Sequence, residues 1–356
     1  MSIVYVIVAI LFFGFFVAAH EFGHFITAKA CGVRVEEYSI GMGPLLLQKQ
    51  GKETAYSLRL LPLGGFCAIE GESEESEGPR SLSSQSYPKQ LMVFAAGAVV
   101  NFLLGLLIML ILYAPAESFL SPTVVSLRDG FPDAGEQGLM VGDVLYELNG
   151  ERIYFSNDVN LVMSYGDFDE EGTLHAVLLR DGKKLERTLH LHDYSDEAGN
   201  KERAYGFSYG ELVEATPMLR LHYAWYNTLD FVRMVRLSLK MLLTGKAGVR
   251  DLSGPIGIVS AMEEVGSSAE TQRIAFESIA YYAALVTVNL AVMNLLPIPA
   301  LDGGKILFLT VNTVSMKLFR KRISARTENA LGAVCFALLI GLMLFVTFSD
   351  ITKLFA

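Results

Sequence analysis

His20-Glu21-Phe22-Gly23-His24 closes a run, Ile3–Ala19, of 17 residues without a charge. On a helix, residues i and i+4 lie on one face a turn apart. Both imidazoles can then hold one Zn²⁺, with Glu21 beside the position of a bound water as general base. The competing reading is a pair of interfacial histidines with a snorkelling glutamate. Against it, two histidines and a glutamate at the deep end of an apolar helix are costly without a partner, and a metal supplies one. Two imidazoles leave zinc short of its usual three protein ligands. A third ionisable group at membrane depth is therefore required.

Further along the chain, Leu91–Ala116, Ser278–Leu301 and Asn329–Ser349 are also charge-free. About 20 apolar residues cross a hydrocarbon core of about 30 Å, so four membrane helices are expected. Composition agrees: 52% of the 356 residues are hydrophobic and 19% charged, with a mean hydropathy of +0.38. This excludes a disordered chain, a coiled coil and a collagen-like repeat. The net charge of -9 argues against nucleic acid as a partner. Cys31, Cys67 and Cys335 are odd in number and widely spaced, so they give neither a disulfide framework nor a cysteine zinc site. Ile3–Ala19 read as a cleaved signal lacks a basic n-region and would place His20-Glu21 just past the cut.

The loops set orientation. Lys305–Arg326 carries Lys305, Lys317, Arg320, Lys321, Arg322 and Arg326 with no acid, which assigns it to the cytoplasm. Counting spans from there puts both termini and residues 117–274 outside and residues 29–90 inside. The inner loop holds seven Lys/Arg; residues 118–216 hold 19 Asp/Glu against eight Lys/Arg.

The same parity brings a candidate third ligand to the side of the membrane where His20 and His24 lie. Asp302 adjoins the third span and follows Asn294-Leu295-Leu296-Pro297-Ile298-Pro299-Ala300-Leu301. Two prolines break a helix, and backbone freed at that depth must line a cavity or pack on protein. Gly303-Gly304 permits close approach of another stretch of chain. The plainer alternative is an aspartate capping a span at the interface.

Between the spans, Thr123–Val125, Val144–Leu148, Leu174–Leu178 and Arg187–Leu191 alternate like strands, punctuated by Asp129-Gly130, Asn149-Gly150 and Asp181-Gly182. Asn157–Met163 suits a short helix, and Gly138–Ile153 resembles the core of a PDZ domain. His190 and His192 fall on one strand, most simply as solvated side chains. Thr216–Thr244 is helical in period, with Arg233, Arg236 and Lys240 on one face. An interfacial amphipathic helix is expected there, a fifth span being the alternative. Residues 33–69 alternate in places, with turns at Gly41–Pro44 and Pro62–Gly65, as hairpin-like strands would. Gly71–Ser86, rich in Glu, Ser and Gly, reads as a mobile loop.

The zinc motif on a first span, Leu301-Asp302-Gly303-Gly304 on a late one and a PDZ between them resemble the site-2 protease family of intramembrane zinc metalloproteases. The likeness is closest to its bacterial regulator-of-sigma-E protease type, in a single-PDZ form. Asn289, Asn294, Pro297 and Pro299 match the stretch before that family's metal-binding aspartate. Gly64-Gly65-Phe66 resembles its membrane-associated β-loop, Gly97 and Asn101 a Gly-x-x-x-Asn feature of its second span, and Ser253–Gly257 its post-PDZ segment. Carrying one PDZ rather than two departs from the two-PDZ members and puts their mode of substrate gating in doubt here.

The resemblance implies a polytopic α-helical membrane protein with an inserted extracytoplasmic PDZ domain and a cytoplasmic-side β-hairpin region. Its expected parts are a first span with the zinc motif (1–28), the β-region (29–90), a second span (91–116) and the PDZ (118–212). An interfacial helix and linker (213–274), a third span ending at Asp302 (275–302), a basic cytoplasmic loop (303–328) and a fourth span (329–349) follow. It further implies one Zn²⁺ per chain on His20, His24 and Asp302, with Glu21 as base, in a bacterial cytoplasmic membrane. Substrates would be single-span membrane proteins, unwound locally because a helical amide is hidden by its own hydrogen bonds. An anti-sigma factor, a similar regulator or a remnant signal peptide would fit. An edge within residues 56–69, including Gly64, Gly65 and Phe66, would hold the unwound segment by strand addition. Asn289 and Asn294 would bind its backbone, or else join helices. The PDZ would bind a peptide or a substrate ectodomain, or serve as a spacer. The rival classes are a non-catalytic PDZ-bearing membrane scaffold, which has no use for the full His20, Glu21, His24 and Asp302 set, and a zinc transporter. A transporter needs polar residues on several spans, where the second and fourth offer little beyond Asn101, Thr347 and Ser349.

Overall fold

The computed structural model describes residues 3–72, 78–166, 168–169, 171–195, 201–248, 254–321 and 323–355. In chain order its elements are α1 (Ile3–Ala30), β1 (Val35–Gln50), β2 (Ala55–Ile69), α2 (Tyr87–Tyr113), β3 (Ser118–Leu127), β4 (Val144–Leu148), β5 (Glu151–Arg152), α3 (Ser156–Tyr165), β6 (Leu174–Arg180), β7 (Lys183–Leu189), β8 (His192–Ser195), β9 (Lys201–Ala204), β10 (Phe207–Glu214), α4 (Pro217–Leu243), α5 (Pro255–Ser267), α6 (Gln272–Asn294), α7 (Asp302–Leu318) and α8 (Ala325–Phe355). They form two units, residues 1–108 with 248–356, and residues 109–247.

In the first unit, helices α1, α2, α6 and α8 are long and apolar enough to cross a membrane, as expected from the four charge-free runs. Large side chains such as Leu11, Phe15, Leu103, Leu338 and Leu344 stay exposed on them, the mark of helices whose solvent is lipid. Helix α1 runs on through Ala30, so the zinc motif sits in its interior and not at a helix end.

The third span ends earlier than expected. Helix α6 stops at Asn294, because Pro297 and Pro299 lack the N–H that a continuing helix needs. The chain loops back, and Asp302 opens the new helix α7. Residues 302–318, expected mostly as loop, are therefore helical; Arg322 of the basic stretch lies outside the described residues. Gly303 and Gly304 allow the turn. A Cβ on Gly303 would stand 2.3 Å from the carbonyl oxygens of Leu295 and Leu296, and one on Gly304 2.2 Å from that of Ile298. The stretch that approaches these glycines is the chain's own preceding loop. Helix α8 continues past the expected Ser349, and Asp350 accepts the N–H groups of Gly254 (2.8 Å) and Gly257 (2.9 Å) at the start of α5. Ser253, the first residue of the expected post-PDZ segment, lies outside the described residues.

Strands β1 and β2 are long and bent. Their register makes four segments side by side: Ser39 of β1 faces Phe66 and also Ser57, while Gln48 of β1 faces Ser57. Residues 35–40 thus lie between 65–69 and 55–58, and the expected turns at Gly41–Pro44 and Pro62–Gly65 are bends within strands. The stretch expected to be mobile is partly packed. Residues 73–77 lie outside the described part, but Ser81 and Leu82 are buried and Leu82–Ser84 forms a 3-10 turn.

In the second unit β10, β3, β4, β6 and β7 pair in that order, with β5 on β4. Val124, Leu139, Leu145, Leu148, Val159, Val162, Leu174 and Leu178 form its core. The Asn149-Gly150 and Asp181-Gly182 turns hold positive φ at both residues (47° and 80°, 50° and 74°), as tight hairpins demand. His190 and His192 do not share one strand, since His190 lies between β7 and β8. Both rings turn to Asp133, at 3.4 and 3.3 Å. Helix α4 forms where expected. Two of its basic residues meet acids: Arg236, itself exposed, holds Glu151 at 2.6 and 2.7 Å, and Arg233 lies 3.2 Å from Asp230 and 3.8 Å from Asp158. Arg233 and Arg236 thus partner this unit's own acids.

Candidate metal centre

Helix α1 sets His20 and His24 on one face, and the loop before α7 delivers Asp302 between them. His20 Nε2 lies 3.0 Å and His24 Nε2 3.1 Å from the same Asp302 oxygen, Oδ2, and 3.2 Å from each other. All three residues are buried. They are the one group of three or more such residues, among those described, whose ligand atoms converge.

The triangle is hard to satisfy with protons alone. His24 Nδ1 is 2.8 Å from the Val93 carbonyl oxygen, an atom that only accepts, so Nδ1 carries the hydrogen. In a neutral ring Nε2 then presents a lone pair to a carboxylate oxygen and to a second imidazole nitrogen. With the hydrogen of His20 on Nδ1 as well, three lone pairs would face one another, an arrangement that a cation satisfies. Zinc bonds of about 2.0–2.2 Å set neighbouring tetrahedral donors roughly 3.3–3.5 Å apart, close to the separations here. The donor set fits zinc.

Helix α2 supplies the wall and the support. Val93, Gly97 and Asn101 recur every fourth residue, on one face. A Cβ on Gly97 would lie 2.5 Å from His24 Nε2 and 2.6 Å from His20 Nε2; only glycine leaves room for both rings. Asn101 is fully buried, with its side-chain amide 3.5 Å from His20 Nδ1 and Oδ1 without a partner. A half-turn of that amide exchanges its nitrogen and oxygen. Oδ1 then accepts from Nδ1–H and repeats the support that Val93 gives His24. Such partners fix the tautomer of a ligating histidine. The sequence offered Gly97 and Asn101 only through family likeness, and Val93 not at all, since a backbone carbonyl leaves no mark on residue type.

Glu21 lies against the β-region. A Cβ on Gly65 would be 3.5 Å from Glu21 Cγ and 2.8 Å from the Ser39 carbonyl oxygen, so the glycine lets strand and glutamate meet. Tyr38 ties β1 to α1 through a 3.0 Å bond from its hydroxyl to the Ala18 carbonyl. Residues 65–69 pair with 35–40 on one side and have no strand partner on the other among the described residues. Gly64 is in the left-handed region (φ +102°), its open face against Met42, which a Cβ would meet at 2.8 Å. Phe66 lies under the Arg59 guanidinium, 5.1 Å from ring centroid to charge. Asn289 buries Oδ1 with no partner, and Asn294 is the last residue of α6.

The model of peptidase family M50 matches residues 8–342. The chain belongs to that family, the site-2 proteases. A Clostridium acetobutylicum protein bearing a provisional zinc metalloprotease name is 32% identical over 99% of this chain and 98% of its own length. A counterpart in Clostridium perfringens is 33% identical over 98% of each chain. The regulator of sigma-W protease RasP of Bacillus subtilis is 27% identical over 98% of this chain and 99% of its own. As an M50 peptidase, the protein is a zinc metalloendopeptidase.

Proposed function

We propose that this M50 peptidase cuts single-span membrane proteins within a bacterial cytoplasmic membrane, with His20, His24 and Asp302 holding one Zn²⁺ and Glu21 acting as general base. The convergence of two imidazole nitrogens and Asp302 Oδ2 within 3.0–3.2 Å carries the reading. The bound ion would lower the pKa of a water toward about 7 and polarise the peptide carbonyl. Glu21 takes a proton as the water oxygen adds to the carbonyl carbon, and returns one to the amine nitrogen as the C–N bond breaks. The free edge of residues 65–69, beside Glu21 at Gly65, aligns an unwound substrate segment by strand addition, with Phe66 flanking it. Asn289 Oδ1, buried without a partner, accepts from a substrate N–H, and Asn294 serves the same segment.

Residues 118–212 act as an extracytoplasmic PDZ domain that admits substrates by ectodomain size or binds a peptide. The active site lies toward the cytoplasmic face. The name of the Bacillus subtilis relative supports a regulator as substrate, a membrane-held inhibitor of a transcription factor such as an anti-sigma factor; remnant signal peptides are the other class. The test is purified protein in detergent with a single-span substrate. Glu21→Gln should lower cleavage at least 100-fold while zinc content stays at one per chain, and Asp302→Ala should lose both. Near wild-type turnover by Glu21→Gln, or full zinc affinity in Asp302→Ala, removes that residue from its role.

A further inference from the structure

Asp302 spends one oxygen on both histidines. Its other oxygen, Oδ1, lies 3.8 Å from Lys305 Nζ, one turn further along α7. Lys305 Nζ donates to Glu72 Oε1 at 2.5 Å and stands 5.9 Å from the centroid of the Phe94 ring on α2. The lysine side chain is 38% exposed and that of Glu72 18%. Both line a cavity of about 600 Å³ with Ser83, Gln85, Tyr87 and Asn312.

Resting on the zinc reading above, we propose that Lys305 is a positioning residue for Asp302, and that Glu72 holds it in place. A carboxylate has two equivalent oxygens and turns freely about its last bond. A cation fixed beside Oδ1 leaves Oδ2 for the histidines and the ion. A lone lysine there would repel a divalent cation. Glu72 cancels that charge, so the pair orients the ligand without opposing the metal. Ligating carboxylates commonly need such support, and its loss costs 10–100-fold in metal affinity or activity. The arrangement also ties the segment after β2 to the helix that delivers Asp302.

The experiment measures zinc affinity by chelator competition on full-length protein in detergent, and cleavage kinetics at saturating zinc. Lys305→Met should weaken zinc about 10–100-fold. Lys305→Arg should stay near wild type, because it keeps a cation within reach. Glu72→Gln, which leaves the lysine charge uncancelled, should also weaken zinc. The Lys305→Met/Glu72→Gln double variant restores neutrality but not orientation, so it should stay weak; recovery to wild type would reduce the pair to charge balance and overturn positioning. With zinc saturating, kcat should fall and KM hold, since neither residue is placed against substrate. Lys305→Ala opens a gap onto the cavity, and ethylammonium should restore part of its zinc affinity, which a misfolded variant could not show. Zinc affinity within twofold of wild type in Lys305→Met refutes the proposal. The zinc reading itself fails separately, if Asp302→Ala keeps full affinity.

Discussion

At Gly97 one added methyl group would stand 2.5 Å from His24 Nε2, closer than any unbonded carbon and nitrogen can rest. The same residue faces His20, so neither ring can move aside without leaving Asp302. Overpacking of this kind costs about 1–3 kcal/mol, or roughly 5–150-fold in affinity if it falls on metal binding. Gly97→Ala should therefore lose zinc while the helix, gaining a better helix former, stays inserted. Metal analysis with chelator competition reads the outcome, and unchanged affinity would show that α2 can retreat from α1. The proposed ligands are legible because their chemistry is spelled by side-chain type: His20 and His24 by spacing, Asp302 by its place after two prolines. Gly97 contributes by what it lacks, Val93 by a backbone carbonyl, and Lys305 by a neighbour, Glu72, that is remote in sequence. Periodicity carries none of these.

Helix α4 shows how an element can be legible as a helix while the partners of its charges are not. Its arginines share a face, which reads as a surface meeting lipid headgroups, yet Arg233 and Arg236 meet Glu151, Asp158 and Asp230. Those acids are scattered over β5, over α3 and over α4 itself, so no local pattern announces them. Asp158 is fully buried and caps α3 by accepting the Phe155 N–H at 3.1 Å. Asp230 is buried as well, and its carboxyl is pushed up to about 9, first by burial, then by its hydrogen bond to Asp158 and that group's charge, with Arg233 opposing. The folded chain thus keeps a proton that the unfolded chain releases near about pH 4. Between about pH 4 and 9 the folded state binds more protons, so this contribution to stability is fully present below that range and is lost as pH rises through it. Hydrogen exchange of the α4 amides in the full chain, corrected for intrinsic rates, should show weaker protection at pH 9 than at pH 6.5. Asp230→Asn should remove the difference, and equal protection in the wild type would contradict the shared proton. The α6–α7 break was readable in part: Pro297 and Pro299 foretold the interruption, but not that Asp302 would open a helix. That depends on Gly303 and Gly304 packing under the returning loop.

For the whole molecule, four apolar helices give the candidate crossings but not their direction; charge has to supply that. The basic stretch after α7 carries Arg320 and Lys321 with no acid nearby, whereas the sheet unit is strongly acidic. A short basic loop is retained on the cytoplasmic side, while acids weigh little, so the argument rests on the loop. On the proposed topology, four crossings would put the β6–β7 hairpin outside and the end of α7 inside. Lys183, in the first position of β7 after the Asp181-Gly182 turn, is exposed, and so is Lys321. A cysteine at either place, in a chain whose Cys31, Cys67 and Cys335 are replaced by serine, reports its side through a membrane-impermeant thiol reagent. Lys183→Cys should label in intact spheroplasts, and Lys321→Cys only after the membrane is opened. The two sites are separated by α6, the one candidate span between them, together with α4, α5 and α7, which are not among the candidate spans. Opposite labelling therefore also tests whether α4 stays out of the bilayer. If α4 crossed as well, both cysteines would label from the same side, and the assignment of the sheet unit to substrate access from outside would fall with the four-span map.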